Sequence, residues 1–313
     1  MGNKKVIFDV VYLENLRRKY RLILGLIFLS SIIFLLVSLY FTYLILSHFF
    51  VDHVAPSIED LNSILNIVFA SFFLLALILY YLLSSSFQKK FKFLFMDTFV
   101  TSKMSDSNYY PKAKFRFKTF IELGLLKKSS KYKLSDEIKG VYEKTNFSSF
   151  GITLIDKQKY VSTDKEIVSR KKRYINSFVG KVFVIEASRK IPKKYELLIA
   201  RRDFELKNQE LNLFNDPRFN ETSNLICYTT DEKITSKLVS DGIIDKLNYL
   251  STLFRGDITF SLKKNSIILI VRTSKGSYKI RLNQTISDKF VLDLEKEVLN
   301  ISTVIDELNI LLD

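Results

Sequence analysis

Few side chains in this sequence could do chemistry. His48 and His53 flank Asp52 and could touch a metal ion weakly, but two histidines at this spacing in a short turn make a poor metal site. The sequence holds no glycine-rich phosphate loop followed by Lys-Ser or Lys-Thr, and no Gly-x-Gly-x-x-Gly pattern. We therefore expect neither a bound metal ion nor a cofactor.

Nucleophiles and acid–base pairs are equally scarce. The single cysteine, Cys227, lies in an apolar run and cannot form an intrachain disulfide, which fits a reducing cytosolic compartment. No histidine follows His53 in the sequence to activate the thiol, so we interpret Cys227 as a small buried side chain. Asp203 and Glu205 would share one face of a strand, but solvated ion pairs explain them better than acid–base catalysis. The sequence thus predicts no catalytic residues.

Two long apolar stretches are the strongest signal. Residues 22–51 are thirty positions without Asp, Glu, Lys or Arg, and residues 61–88 are a second such stretch of twenty-eight. About 20 apolar residues suffice for an α-helix to cross a bilayer. Neither stretch holds a charged residue, which argues against an ion or proton pathway. We predict a transmembrane helical hairpin.

Charge on the flanks predicts the orientation of this hairpin. The segment before the first span carries six Lys and Arg against two Asp and Glu, whereas the connector between the spans carries acidic residues and no Lys or Arg. Lys89, Lys90 and Lys92 follow the second span directly. Because short cytoplasmic flanks are rich in Lys and Arg, we predict a plasma (inner) membrane protein with two spans and cytoplasmic termini. A cleaved signal peptide competes for the first span, but its apolar run is too long and no small-residue cleavage site follows.

The predicted domain division follows from these spans. It comprises a cytosolic amphipathic segment at 1–21, transmembrane helices at 22–47 and 61–87 around an outside loop at 48–60, a basic juxtamembrane helical linker at 88–130, and a cytosolic domain at 131–313. The linker begins with phenylalanines at every fourth position, which predicts that the second span continues as a helix to about Met104.

The cytosolic domain reads as α+β. Alternating or clustered β-formers predict strands at 138–147, 150–155, 178–188, 195–201 and 225–229, and a three-stranded meander at 258–262, 267–272 and 278–282. Asp231 is expected to cap a helix that runs to about Phe254 with a kink at Gly242. The chain then ends in an amphipathic helix.

That last helix carries a regular apolar stripe. Its members are separated by alternating steps of three and four positions, and they are Val291, Leu294, Val298, Ile301, Ile305, Leu308 and Leu312. Such a stripe is typical of a helix that binds a partner helix in a coiled coil. A helix that covers one face of a sheet needs the same stripe, so both interpretations stand.

The basic excess is confined to the middle of the chain. Residues 88–218 carry 30 Lys and Arg against 15 Asp and Glu, whereas residues 219–313 carry 12 against 13. Each Lys or Arg near an anionic leaflet contributes about 1 kcal/mol of attraction, so membrane-surface contact is our leading interpretation. The candidate lipid-contacting residues are Lys89, Lys90, Lys92, Arg170, Lys171, Lys172 and Arg173. A solvated face, with 170–173 in an exposed loop or helix end, and a nucleic-acid surface are the alternatives.

Several segments carry a family resemblance. They are Ile-Glu-Leu-Gly-Leu-Leu at 121–126, Asp-Glu-Ile-Lys-Gly-Val-Tyr at 136–142, Phe-Val-Gly-Lys-Val-Phe at 178–183, Asp-Pro-Arg-Phe at 216–219, Cys-Tyr-Thr-Thr-Asp at 227–231 and the hairpin from 258 to 271. In these the chain resembles domain-of-unknown-function family 3137, a bacterial family with two spans and a cytosolic α+β domain. It departs from that pattern at Phe214, where an acidic residue is usual. The resemblance implies no reaction, and it implies a LemA-like membrane-anchored helical protein as a partner.

Together these features predict a membrane-anchored, non-enzymatic scaffold or adaptor. Its α+β domain would contact protein and anionic lipid at the cytoplasmic face of the membrane. An enzyme acting on a lipid or envelope precursor is the first alternative. A membrane tether for nucleic acid is the second, and nucleic acid is the least favoured of the partners.

Overall fold

The computed structural model describes residues 9–49, 58–104, 106–164, 167–187, 191–202, 211–221, 224–240, 242–274, 278 and 280–308. The chain divides into two compact units. The helical unit comprises Phe8–Phe95 and Ile280–Asp288, and the sheet unit is built on Met96–Lys279 and Lys289–Asp313. The fold class is α+β, as predicted.

The helical unit holds the predicted spans. Helix α1 is Val10–Phe49 and helix α2 is Ile58–Lys103, so α2 ends one residue before the predicted limit. Among the described helices, these two are long and apolar enough to cross a membrane. Many of their large apolar side chains are exposed, including Leu22 and Tyr81. Where the apolar stretches meet the charged flank, the rings of Tyr20 and Phe87 stack with centroids 5.0 Å apart.

A distant segment joins the charged ends of these helices. The carbonyl of Leu282 accepts a hydrogen bond from Arg17 Nη1 at 3.1 Å, and that of Ile280 accepts one from Gln88 Nε2 at 3.2 Å. The amide of Ile286 donates to Glu14 Oε2 at 3.2 Å, and Glu14 also holds Arg17. The predicted third strand of the meander is therefore wrong: the described residues of 278–282 form no strand, and the carbonyls of Ile280 and Leu282 accept from side chains of the two helices.

We expect Arg17→Ala to release this segment. Arg17 is 4% exposed and donates both to Glu14 and to Leu282. Loss of a charged hydrogen bond costs about 2 kcal/mol, so the amides of Ile280–Asp288 should exchange with solvent roughly 30-fold faster. Hydrogen exchange with mass spectrometry would measure this. Arg18→Ala is the control, because Arg18 is exposed and bonds to Glu14 alone among the described residues. Equal exchange in both variants would contradict the expectation.

The described part of the sheet unit forms one antiparallel sheet of nine strands. These are β1 (Ser107–Tyr110), β2 (Lys131–Tyr142), β3 (Thr145–Asp164), β4 (Ile167–Glu186), β5 (Glu196–Arg201), β6 (Asn212–Leu213), β7 (Leu225–Thr229), β8 (Ile258–Lys263) and β9 (Ser266–Arg272). Their order across the sheet is β1-β2-β3-β4-β9-β8-β5-β7-β6. Tight turns close two hairpins at Glu143-Lys144 and Lys264-Asn265, where all four residues have positive φ as in the mirror-image turns that match strand twist.

Five helices accompany these strands. Among the described residues they are α3 (Phe117–Glu122), α4 (Pro217–Glu221), α5 (Glu232–Ser240), α6 (Ile243–Phe254) and α7 (Asp288–Leu308). Asp231 caps α5 as predicted, because its Oδ1 accepts the amides of Lys233 and Ile234 at 2.9 and 3.1 Å. The predicted single helix is two helices, since Gly242 at φ 84° separates α5 from α6.

The sheet has apolar side chains on both faces. One face packs Phe150, Ile152, Val182 and Ile270 against α3 and the leucines that follow it. Side chains alternate along a strand, so Lys181 and Phe183 lie on the opposite face. There the Phe183 ring lies 5.5 Å from that of Phe254 at the end of α6. On the same face Lys181 Nζ lies 3.4 Å from Glu297 of α7.

The predicted helical linker at 88–130 is helical only in part. Its helix ends at Lys103, β1 forms the sheet edge by pairing with β2, and α3 is a short helix. Phe117, Phe120 and Leu125 are buried in the core of the sheet unit. The second half of this segment is therefore part of the folded domain, because its aromatic side chains cover the sheet.

Candidate functional site

A cleft opens where three strands of the sheet begin or end. Arg201 is the last residue of β5, Asp257 precedes β8 and Arg272 is the last residue of β9. Antiparallel pairing of β5 with β8 and of β8 with β9 brings these three to one edge. The cleft has a volume of about 360 Å³ and is further lined by Lys127, Asp156, Ser177, Phe178, Thr259 and the apolar residues Leu125, Leu126, Leu154, Ile258 and Ile270. We call it the strand-end cleft.

Arginines and carboxylates are paired unevenly in this cleft. Arg201 Nη1 lies 2.7 Å from Asp257 Oδ1, and both side chains are 41% exposed. The exposed guanidinium of Arg272 lies 6.0 Å from the centroid of the Phe178 ring. Among the described residues no carboxylate forms an ion pair with Arg272. One arginine is thus held by a carboxylate, and the other rests beside an aromatic face.

The second carboxylate of the cleft is held by hydroxyls and an amide. Asp156 Oδ1 accepts Ser129 Oγ at 2.7 Å and the amide of Ser130 at 3.1 Å. Hydrogen bonds from Ser129, Ser177 and the Ser130 amide lower the pKa of Asp156, since they stabilise its charged form. Asp156 is therefore a charged group with its own hydrogen-bond donors.

Two glycines let the backbone close around the cleft. A Cβ on Gly180 would lie 2.5 Å from the Val271 carbonyl and 2.6 Å from the Phe178 ring. A Cβ on Gly256 would lie 1.7 Å from the Arg272 carbonyl. Only glycine allows these approaches, so the glycine of the Phe-Val-Gly motif positions Phe178, and Gly256 positions Arg272.

Outside the cleft, Asp136 forms the centre of a buried hydrogen-bonded group in the sheet unit. Asp136 is 2% exposed and accepts Tyr109 Oη at 2.5 Å and the Tyr278 amide at 3.0 Å. Burial and the neighbouring Asp136 carboxylate raise the pKa of Tyr109. Lys181 Nζ lies 4.5 Å from the centroid of the Tyr278 ring. Asp136 lies at a register shift in β2 with φ 56°, so a strained residue holds strands and loop together.

The predicted lipid-contacting residues fall in two groups. Lys89 and Lys90 are exposed on α2 and Lys92 is half-buried there. The basic run at 170–173 lies on β4. The alternative interpretation, an exposed loop or helix end, is therefore wrong for these residues. They pair with 158–161 of β3 in a ribbon that extends beyond the other strands. The prediction that both groups contact lipid stays a prediction.

The stripe of the last helix is covered by the chain itself. Leu294, Val298, Ile301, Ile305 and Leu308 are buried, and Val291 is half-buried. Leu312 lies outside the described residues. Their burial agrees with the interpretation of a helix that covers a sheet, so this stripe does not offer a free face for a partner helix.

The remaining candidates are placed as follows. Cys227 is buried on β7, and burial raises the pKa of its thiol, which disfavours the reactive thiolate. His48 belongs to α1, whereas Asp52, His53, Asp203 and Glu205 lie outside the described residues. No group of three or more His, Cys, Asp or Glu that could hold a metal ion occurs among the described residues.

The family comparison covers most of the strands that build the cleft. Residues 174–310 match the family described as "Protein of unknown function (DUF3137)". This match supports a domain of unknown function over that part of the chain. It begins within β4 and ends after α7, so it includes Phe178, Arg201 and Arg272. The resembling segments at 121–126 and 136–142 precede it. No curated protein and no solved structure matches the chain.

The strand-end cleft could not be predicted from the sequence alone. Arg201 and Arg272 each end an apolar strand, which is a visible pattern, but many strands end in a charged residue. The two strands are separated in the sheet by β8 and come together only through strand order. Only that order, which the DUF3137 match does not supply, places Arg201 and Arg272 at the same edge of the sheet.

Proposed function

We propose that this chain is a membrane-anchored scaffold or adaptor that holds its DUF3137 domain at the cytoplasmic face of the plasma membrane. One observation carries the anchoring. Helices α1 and α2 expose large apolar side chains along their length, for example Leu26, Phe34, Leu74 and Leu82 at 57%, 63%, 59% and 58%. Such surfaces are unfavourable in water and suit a bilayer core, where a helix satisfies its own backbone.

Exposed cations at the ends of both helices support contact with anionic lipid. Arg18, Lys19 and Arg21 are exposed on α1 just before its apolar stretch, and Lys89 and Lys90 are exposed on α2 just after its own. Each contributes about 1 kcal/mol near an anionic leaflet. The position of these cations also supports the cytoplasmic orientation of both ends.

The protein partner would use the solvent side of α7. Leu292 and Leu299 are 55% and 40% exposed there, seven positions apart, and thus lie on one face of the helix. The partner would therefore contact the exposed face of α7 that carries Leu292 and Leu299, because the apolar stripe of this helix is buried. A LemA-like membrane-anchored helical protein is the partner class that the family resemblance suggests.

Cysteine labelling in intact cells tests the orientation. We expect Ser57→Cys in the connector to react with a membrane-impermeant maleimide, and Ser274→Cys in the sheet unit to react only after the membrane is opened. Unmodified protein is the background control, because Cys227 is buried with a raised thiol pKa. Labelling of Ser274→Cys in intact cells would overturn the cytoplasmic placement.

Lipid contact has its own test. We expect the double variant Lys89→Gln and Lys90→Gln to retain fewer anionic lipids than wild type when released from membranes in mild detergent. At about 1 kcal/mol for each charge, the affinity should fall roughly 30-fold. Native mass spectrometry counts the bound lipids. Lys233→Gln with Lys237→Gln is the matched control on exposed positions of α5, and an equal loss there would contradict the proposal.

A further inference from the structure

We propose that the strand-end cleft binds an anionic amphiphile, a phosphate or carboxylate head joined to a short hydrocarbon chain. The site is separate from the proposed lipid and partner surfaces and does not depend on them. Its volume of about 360 Å³ lies within the range of small-ligand sites, which are mostly apolar with a few converging polar groups. The inference goes beyond anchoring, since it assigns a ligand to the DUF3137 domain.

The cleft offers the hydrocarbon chain an apolar wall. Leu125, Leu154 and Ile270 line it and are 2%, 3% and 2% exposed, so they are fixed by the core behind them. The Phe178 ring adds an aromatic wall. It lies against Gly180, where a Cβ would come within 2.6 Å of the ring. A hydrocarbon chain that lies against these side chains gains apolar burial.

The head would bind at Arg272. Its guanidinium is exposed, lies beside Phe178, and forms no ion pair with a carboxylate of the described residues. A guanidinium presents paired N–H donors that match phosphate and carboxylate oxygens. Arg201, already fixed by Asp257 at 2.7 Å, and Lys127 line the same cleft and add positive potential.

The carboxylates of the cleft do not oppose this assignment. Asp257 is engaged with Arg201, and Asp156 is engaged with Ser129 and the Ser130 amide. Each is compensated by its own donors. Neither carboxylate is paired with Arg272, and the ligand that Arg272 selects is an anion that carries an apolar group.

Binding of hexyl phosphate to the full-length protein tests the proposal. The protein is held in phosphatidylcholine nanodiscs, and calorimetric titration is corrected by titration of empty nanodiscs. We expect saturable binding to wild type, at least tenfold weaker binding to Arg272→Ala, and intermediate binding to Arg272→Lys. Arg281→Ala is the matched control, since Arg281 is also an exposed arginine but lies outside the cleft, and it should bind like wild type.

Two further probes separate head from chain. Hexanol and inorganic phosphate should each bind at least tenfold more weakly than hexyl phosphate. No saturable binding of hexyl phosphate, equal binding by wild type and Arg272→Ala, or equal binding of hexanol would each overturn the proposal. Nanodiscs that also contain phosphatidic acid identify the source of the head. Weaker hexyl phosphate binding there indicates a membrane lipid, and unchanged binding indicates a soluble anion.

Discussion

Asp136→Ala is expected to lower the free energy of unfolding of the sheet unit by about 4 kcal/mol. The substitution removes the acceptor of the Tyr109 hydroxyl and of the Tyr278 amide, both buried. A buried hydrogen bond to a charged group is worth about 1.5–3 kcal/mol, and alanine in the left-handed region, where Asp136 has φ 56°, costs about 1 kcal/mol more.

Asp136→Asn is the matched variant. Asparagine tolerates the left-handed backbone and keeps a side-chain carbonyl oxygen as acceptor, so we expect a loss of about 1–2 kcal/mol. Pulse proteolysis of the full-length protein in urea would measure both values. If Asp136→Ala lost no more stability than Asp136→Asn, the carboxylate would not be the element that joins β1, β2 and the loop at Tyr278.

Gly256→Ala is expected to destabilise the same unit by about 3 kcal/mol. A Cβ at this position would lie 1.7 Å from the carbonyl oxygen of Arg272, and a backbone atom cannot move aside cheaply. The amide of Arg272 donates to the Asp257 carbonyl at 2.8 Å, so the displacement would also break this contact. Hexyl phosphate binding should weaken as well, because Arg272 and Asp257 both line the cleft.

Gly25→Ala is the control for this prediction. No heavy atom lies within 4 Å of a Cβ built on Gly25, and alanine favours helix over glycine. We expect this variant to unfold and bind as wild type does. Thermal unfolding and the hexyl phosphate titration give the comparison, and equal behaviour of the two glycine variants would show that β8 and β9 tolerate separation at this edge.

Local sequence signals determined the elements that depend on near neighbours along the chain. The apolar stretches and the following phenylalanines predicted α1 and the extent of α2, because a long apolar run without Pro can continue as one helix. Asp231 predicted the start of α5 through its side-chain cap. The Lys264-Asn265 turn predicted the hairpin of β8 and β9, since its residues adopt positive φ readily enough for a tight turn.

Local sequence signals did not predict the segments whose structure depends on contacts with residues distant in the chain. The 278–282 segment alternates like a strand, but bonds from Arg17 and Gln88 take the carbonyls of Leu282 and Ile280. The basic run at 170–173 is typical of an exposed loop or helix end, yet it pairs with 158–161 across β3 and β4, because strand pairing can extend a hairpin beyond an apolar core. Such pairings depend on register over many residues.

The sequence by itself determined the two long apolar helices, the α+β class and the charge distribution, all of which rest on residue type and short spacing. Tertiary structure alone decided that the heptad stripe of α7 is buried. It alone joined Asp136 to Tyr109 and Tyr278 and brought Arg201, Asp257 and Arg272 to one cleft. The physical reason is that antiparallel strand order, and not sequence distance, sets which strand ends meet.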